Sequence, residues 1–116
     1  MHQRSIYRLH QDYDPKRRRV VIVSRETLNR GHYVVVVPIY SVKDEVDRRA
    51  PNNCPLLASK YECIDRESFI AAEEIHFVRQ QDIDGSTGPL DRLSDDDWGR
   101  LVTAIGYMID ADCFSI

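Results

Sequence analysis

Two runs of β-branched and other apolar residues, Val20–Val23 and Val34–Ile39, constrain the fold of this chain more than any other feature. Branched side chains favour an extended backbone and fit a pleated surface that is buried on both faces. We therefore expect two neighbouring central strands. A block of four cations, Lys16 to Arg19, directly precedes the first run, and Tyr40 and Ser41 follow the second. Charge at the end of one rigid strand and hydroxyl groups at the end of another indicate a functional site.

The remaining segments predict a mainly β fold in one domain, residues 1–116. Ser5–Leu9 alternates weakly and predicts an opening strand, whereas Cys54–Ala58 predicts a short one. Ser68–Val78 is rich in aromatic and β-branched residues, which favours one or two strands. Ser41–Asn53 is a charged loop without periodicity, and Gln80–Pro89 is a loop that opens with a helical turn. Short links between strands imply a curled, mainly antiparallel sheet or a small barrel.

One helix is predicted near the C-terminal end of the chain. Ser94 is a good N-cap, and the three aspartates that follow it complement the helix dipole. Apolar residues then recur at helical spacing, which predicts one apolar face that packs on the sheet or on a partner subunit. The residues of this face are Trp98, Leu101, Val102, Ile105, Met108 and Ile109.

Composition excludes several classes of protein. The net charge of −3 argues against a protein that coats nucleic acid by bulk electrostatics, although cations concentrated early in the chain allow a local basic groove. Three cysteines without C-x-x-C spacing, Cys54, Cys63 and Cys113, predict free thiols in a reducing cytoplasm. We expect no membrane segment, since no apolar run reaches spanning length, and no metal or other cofactor, since no ligand spacing is recognisable.

The order of the motifs resembles that of the MazF/PemK toxin family. Its members carry a D-P turn, an R-P-V-L-V-V-S strand, an L-N pair, a V-V-V-P-I-T-S strand and a D-S-V-A-L-C-E-Q-I strand. The matching segments here are Asp14–Pro15, Arg18–Ser24, Leu28–Arg30, Val34–Ile39 and Ser68–Ile75. The resemblance implies an SH3-like curled sheet with a C-terminal helix.

The same resemblance implies a function. It implies the toxin of a type II toxin–antitoxin system, a homodimer that a cognate antitoxin neutralises. Most members are metal-independent endoribonucleases that cut single-stranded RNA at short sequences. The 2′-OH of the substrate attacks the neighbouring phosphate and leaves a 2′,3′-cyclic phosphate and a 5′-hydroxyl.

Three departures from the family pattern fall at the expected site. The connection from Asp14 to the basic block is shorter than in the family, and Arg19 replaces the proline that follows the key arginine. Tyr40 occupies the position of the family hydroxyl, and Ser41 comes one residue later.

The resemblance assigns catalytic roles to Arg18 and Ser41. A fixed cation must stabilise the negative charge that builds on the phosphoryl oxygens, and an arginine fork suits two oxygens. Counting from Asn29 selects Arg18, whereas adjacency to the valines selects Arg19. Ser41 is the candidate hydroxyl by role and Tyr40 by position. The expected RNA contacts are Arg17, Arg19, Tyr40, Lys43, Glu73, Glu74 and His76.

Glu74 and His76 would share a face if this segment has a period of two. A carboxylate beside an imidazole can tune the pKa of the imidazole for proton transfer. The family uses this region for base recognition, so the resemblance assigns both residues, with Glu73, to RNA contact.

Two alternative functions remain open. CcdB-like toxins share the fold and poison DNA gyrase, and they also end near an aromatic residue and an isoleucine, here Phe114 and Ile116. They depend on a C-terminal Trp-Gly-Ile, however, whereas Trp98 opens the predicted helix. The other alternative is a family member with degraded catalysis that acts as a binding partner.

Overall fold

The structure, a computed structural model, describes residues 1–44, 50 and 52–109. Eight strands form one antiparallel sheet, and one α-helix follows them. The strands are β1 (Ser5–Leu9), β2 (Arg19–Ile22), β3 (Tyr33–Ser41), β4 (Asn53–Leu56), β5 (Ser68–Ala71), β6 (His76–Arg79), β7 (Ile83–Asp84) and β8 (Asp91–Arg92), and the helix is α1 (Asp95–Met108). Short 3₁₀ turns lie at Leu28–Arg30, Ala58–Lys60, Ala72–Glu74 and Gln80–Asp82.

These elements confirm the strands predicted from the sequence. Ser68–Val78 is two strands, β5 and β6, separated by the 3₁₀ turn Ala72–Glu74. The segment Gln80–Pro89, expected as a loop after one helical turn, also contains the short strand β7. The predicted loop Ser41–Asn53 falls partly outside the described residues, and its two end residues belong to β3 and β4.

The nine-residue strand β3 organises the sheet. The strand order is β4-β5-β3-β2-β1-β7, and β8 pairs with the start of β1. On the side away from β2, the first part of β3 pairs with β6 and its last three residues pair with β5. The predicted curled antiparallel sheet is confirmed, and across the described residues it is open and does not close into a barrel.

Two buried clusters explain the unbroken apolar runs. Val21 and Val37 face the cluster that lies beneath the helix, whereas Val20, Ile22 and Val36 face a second cluster on the opposite side of the sheet. Successive residues of a strand point to opposite faces. Because both faces of β2 and β3 are buried in their middle parts, consecutive positions there hold apolar residues.

Helix α1 covers the first cluster. The Ser94 hydroxyl accepts the backbone N–H of Asp97 at 3.3 Å, which confirms the predicted N-cap. Leu101 and Ala104 are buried against the sheet, and Trp98 and Ile105 pack beside them. Val102 and Ile109 of the predicted apolar face are 49% and 56% exposed, so they do not pack on the sheet, and their packing on a partner subunit stays a prediction. Val102 lies beside the part of the helix that contacts the sheet, and Ile109 is the C-cap that follows the helix.

A buried polar cluster holds the link between β2 and β3. The Asn29 side chain accepts the Ser24 hydroxyl and donates to the backbone carbonyls of Met1 and Ser24, each at 3.0 Å. The Ser24 oxygen in turn accepts the N–H of Val35 at 3.0 Å. The S…L-N pattern therefore has a structural role in this chain.

Replacing Asn29 by alanine is expected to lower the free energy of unfolding by about 1–3 kcal/mol, because buried backbone and hydroxyl groups lose their partners. Urea unfolding followed by circular dichroism measures this loss. Thr27→Ala, at an exposed position of the same link, is the control and should change the value little. Equal values for the two variants would contradict the structural role of Asn29.

Candidate functional site

Two neighbouring hollows meet at Arg18 and Tyr40. The antiparallel register of β2 and β3 pairs Val20 with Pro38, so Arg18, two residues before Val20, and Tyr40, two residues after Pro38, come together on the same face. The His76 hollow, of about 290 Å³, is lined by Leu9, Tyr13, Asp14, Arg18, Val20, Pro38, Tyr40, Glu74 and His76. The basic hollow, of about 250 Å³, is lined by Arg8, Lys16, Arg17, Arg18, Arg19, Ile39, Tyr40, Ser41 and Lys43.

Arg18 is placed by the tight turn that precedes β2. Its backbone N–H donates to the Asp14 carboxylate at 2.9 Å, and the N–H of Lys16 donates to the same group at 3.2 Å. Arg17 adopts a left-handed conformation with φ of 50°, which reverses the chain within this short link. The shortened connection therefore brings Arg18 to the start of the central strand β2, where its guanidinium carbon lies 5.1 Å from the centre of the Tyr40 ring.

Tyr40 connects Arg18 to Glu74. Its hydroxyl donates to Oε1 of Glu74 at 2.7 Å, and its ring lies 5.8 Å from that of Phe69. Burial and the hydrogen bond to Glu74 raise the pKa of Tyr40. The phenol therefore keeps its proton at neutral pH and remains a hydrogen-bond donor, next to a cation and a hollow open to solvent.

Glu74 and His76 both line the His76 hollow, but not through strand alternation. Glu74 ends the 3₁₀ turn Ala72–Glu74, and His76 begins β6. The Glu74 carboxylate contacts Tyr40, whereas its backbone carbonyl lies 2.7 Å from Nδ1 of His76. The expected contact between carboxylate and imidazole is thus replaced by a contact between the main chain and the imidazole.

The cations of the basic hollow have different partners. Arg19 donates to the backbone carbonyl of Cys63, Arg17 pairs with Asp84 at 2.5 Å, and Arg8 donates to the carbonyl of Arg17 at 3.1 Å. Arg18 differs from these cations because it also lines the His76 hollow. The structure therefore gives the two candidate arginines different surroundings: Arg18 beside Tyr40, and Arg19 on the opposite face near Cys63.

The structure divides the sequence-predicted site residues into three groups. Arg18, Tyr40, Glu74 and His76 line the His76 hollow. Ser41, Arg17, Arg19 and Lys43 line the basic hollow, and Ser41 lies on the face of β3 opposite to Tyr40. Glu73 is exposed and lines neither hollow.

Sequence reasoning assigned no site role to Tyr13 or Asp14. Both line the His76 hollow, and the Asp14 carboxylate holds the backbone at Arg18. The D-P turn beside a block of cations was the only sequence signal for them. It indicates a turn and does not show that the turn folds over the site.

Cys54 and Cys63 are free, as expected, and burial raises the pKa of both thiols; Cys113 lies outside the described residues. Within residues 1–44, 50 and 52–109, no group of three or more His, Cys, Asp or Glu side chains is arranged to hold a metal ion. The described helices include none with the length and apolar character needed to cross a membrane.

An open antiparallel sheet with a helix on one face is the fold of the MazF-like toxins. The profile of the PemK-like, MazF-like toxins of type II toxin–antitoxin systems matches residues 6–109. The chain belongs to this family, and the resemblance found in the sequence is confirmed.

Solved structures of similar fold include several toxins. The Mycobacterium tuberculosis toxin MazF-mt6 is 21% identical, with a TM-score of 0.72, over 92% of this chain and 97% of that one. An endoribonuclease in complex with its cognate antitoxin, from a mycobacterial species, is 18% identical, with a TM-score of 0.72 over 95% of each chain. A MazE–MazF structure from Deinococcus radiodurans is 13% identical, with a TM-score of 0.73 over 94% of each chain. No curated protein matches this chain by sequence at a significant level.

Proposed function

We propose that this toxin is a metal-independent endoribonuclease that cleaves single-stranded RNA by attack of a 2′-OH on the neighbouring phosphate. The observation that carries the proposal is the position of Arg18. Its backbone is fixed by Asp14, its guanidinium lies over Tyr40, and it lines both hollows. A fixed arginine at a junction of two hollows can bind the scissile phosphate while RNA continues on both sides.

The charge required by the reaction is available at this position. Negative charge accumulates on the phosphoryl oxygens as the 2′-oxygen attacks, and a guanidinium keeps its proton at every relevant pH. Because Arg18 is positioned before substrate binds, little reorganisation is needed in the transition state. Arg18 is therefore proposed as the catalytic arginine, and Arg19 as an RNA contact.

The two hollows suit different parts of a single strand. Cations of the basic hollow can neutralise phosphates that flank the cut, and this needs no excess of positive charge over the whole protein. Tyr13 and Tyr40 in the His76 hollow offer aromatic faces on which unpaired bases stack. Glu73, Glu74 and His76 remain proposed RNA contacts in this arrangement.

The proposed hydroxyl donor is Tyr40. Its phenol lies beside Arg18 and donates its single hydrogen to Glu74 in the free protein, and we propose that this hydrogen turns to a phosphoryl oxygen when RNA binds. Ser41 faces the basic hollow and is proposed to contact RNA there. Tyr40→Phe keeps the ring and removes the donor, so we expect kcat to fall about tenfold to a hundredfold. Ser41→Ala, the matched comparison, should keep kcat within about threefold of wild type.

Initial rates on a fluorogenic oligoribonucleotide containing a mapped cleavage site measure both variants. Loss of kcat in Ser41→Ala with full activity in Tyr40→Phe would move the donor to Ser41. If both variants keep the kcat of the wild type, neither hydroxyl at the end of β3 has a role in the reaction.

Incubation with a long single-stranded RNA in EDTA tests the function itself. We expect discrete fragments from the wild type and none from Arg18→Ala. A parallel reaction with DNA gyrase and supercoiled DNA addresses the alternative of a gyrase poison. Gyrase-dependent DNA breaks with intact RNA would overturn the proposal, and inactivity in both reactions would favour a member that acts by binding alone.

A cognate antitoxin and a second copy of the chain are the proposed protein partners. Family membership supports the antitoxin, and two of the similar structures are described as toxin and antitoxin together. Co-expression with the product of the neighbouring reading frame should yield one complex that no longer cleaves RNA. Light scattering of the free toxin should give the mass of a dimer, and a monomer mass would contradict the proposed homodimer.

A further inference from the structure

We infer that His76 is the general base of the cleavage reaction, with its Nε2 atom taking the proton from the attacking 2′-OH. The inference rests on the proposed ribonuclease function. It goes beyond RNA contact, because it assigns a proton-transfer step to an atom that the structure orients.

The main chain fixes the tautomer of His76. Nδ1 lies 2.7 Å from the backbone carbonyl oxygen of Glu74, and a carbonyl oxygen can only accept a hydrogen bond. Nδ1 therefore carries a hydrogen, and in the neutral ring Nε2 carries the lone pair. His76 is an exposed residue that lines the hollow shared with Arg18, so substrate can reach it.

The two carboxylates that line the hollow bind protein groups in the structure. The Glu74 carboxylate accepts the Tyr40 hydroxyl at 2.7 Å, and the Asp14 carboxylate accepts the backbone N–H groups of Lys16 and Arg18. An imidazole also suits proton transfer near neutral pH better than a carboxylate, whose pKa is ordinarily far lower. Of the groups that line this hollow, His76 best meets the requirements for a base.

The ionisable groups around His76 come from three segments: the link between β1 and β2, the strand β3, and the adjoining 3₁₀ turn. Tyr13 and Asp14 belong to the link between β1 and β2, Arg18 directly precedes β2, Tyr40 belongs to β3, and Glu74 ends the adjoining 3₁₀ turn. This set holds two carboxylates, one guanidinium and two phenols. The side chain of Glu74 accepts a hydrogen bond from Tyr40, and its backbone carbonyl accepts one from Nδ1 of His76. One residue therefore positions both groups.

The proposed step balances without a metal or other reactant. Nε2 takes the 2′-OH proton while the 2′-oxygen forms a bond to phosphorus, and Arg18 stabilises the phosphoryl oxygens. The bond from phosphorus to the 5′-oxygen breaks, and its electron pair leaves with that oxygen, which takes a proton from solvent water. The products are a 2′,3′-cyclic phosphate and a 5′-hydroxyl, and the imidazolium returns its proton to solvent.

The test compares His76→Ala with His32→Ala, an exposed histidine outside both hollows. We expect kcat of His76→Ala to fall about 10²–10⁴-fold while the Kd for a non-cleavable 2′-deoxy oligonucleotide changes less than about threefold. The acid limb of the pH–rate profile should disappear in this variant. Added imidazole should restore part of the lost rate, because the open hollow admits a small base, and it should not affect Arg18→Ala.

The outcomes separate the two proposals. A wild-type protein that cleaves no RNA would overturn the ribonuclease function and this inference together. A cleaving wild type whose His76→Ala variant loses only affinity would overturn the inference alone. The inference would also be overturned by a His76→Ala variant that melts at the temperature of the wild type but keeps the acid limb of the pH–rate profile, or whose rate is not raised by added imidazole.

Discussion

Replacing Arg18 with alanine is expected to lower kcat/KM for RNA cleavage about 10²–10³-fold, the usual cost of removing one positioned donor from a charged transition state. The loss should appear mainly in kcat, because the neighbouring cations of the basic hollow still bind the RNA backbone. Single-turnover kinetics on a mapped oligoribonucleotide, with protein in excess, separates this effect from binding.

Two variants control for the loss of positive charge. Arg19→Ala removes the adjacent guanidinium, which contacts the Cys63 carbonyl, and should lower kcat/KM less than about tenfold. Arg25→Ala, an exposed position beyond the end of β2, should leave it unchanged. A larger loss in Arg19→Ala than in Arg18→Ala would assign the phosphate to Arg19 and contradict the proposed site.

Asp97→Ala is expected to cause the largest loss of stability, about 2–4 kcal/mol in the free energy of unfolding. The Asp97 side chain is only 3% exposed and accepts the Tyr61 hydroxyl at 2.6 Å. It also pairs with Lys60 at 3.4 Å and with Arg100 at 3.0 Å. Removing the carboxylate leaves a buried phenol and two cations without their shared partner, where the first turn of α1 meets Lys60 and Tyr61.

Chemical denaturation measures the effect, and Asp96→Ala is the control. Asp96 is exposed in the same first helical turn, so its removal should cost only the dipole contribution, about 0.3–1 kcal/mol. A double-mutant cycle with Tyr61→Phe should show coupling, because the two side chains share a hydrogen bond. Equal losses in Asp96→Ala and Asp97→Ala would contradict a role for the buried cluster.

The local sequence was sufficient to predict the longer strands and the helix, but not the two-residue strands β7 and β8. Val20–Val23 and Val34–Ile39 are β-branched on both faces, and Ser94 provides an N-cap, so these segments need no distant partner to be recognised. The pairing of β3 with both β5 and β6 could not be predicted, because it depends on where the 3₁₀ turn Ala72–Glu74 interrupts the later strand segment.

Several residues of the site could be predicted from the sequence, but the contacts between them could not. Arg18 and Tyr40 follow from motif order, but their contact depends on the register of β2 against β3. The hydrogen bond from Tyr40 to Glu74 joins residues 34 positions apart, and no local pattern encodes it. The left-handed backbone at Arg17 could not be predicted from the sequence either, since arginine has no preference for that conformation.

The most direct test of the central claim uses one RNA oligonucleotide with a mapped cleavage site and a copy carrying 2′-deoxyribose at the scissile position. We predict that the protein in EDTA cleaves the first to a 2′,3′-cyclic phosphate and a 5′-hydroxyl, identified by mass spectrometry, and leaves the second intact. Cleavage of the 2′-deoxy copy, or a 5′-phosphate on the product, would contradict attack by the 2′-OH at Arg18.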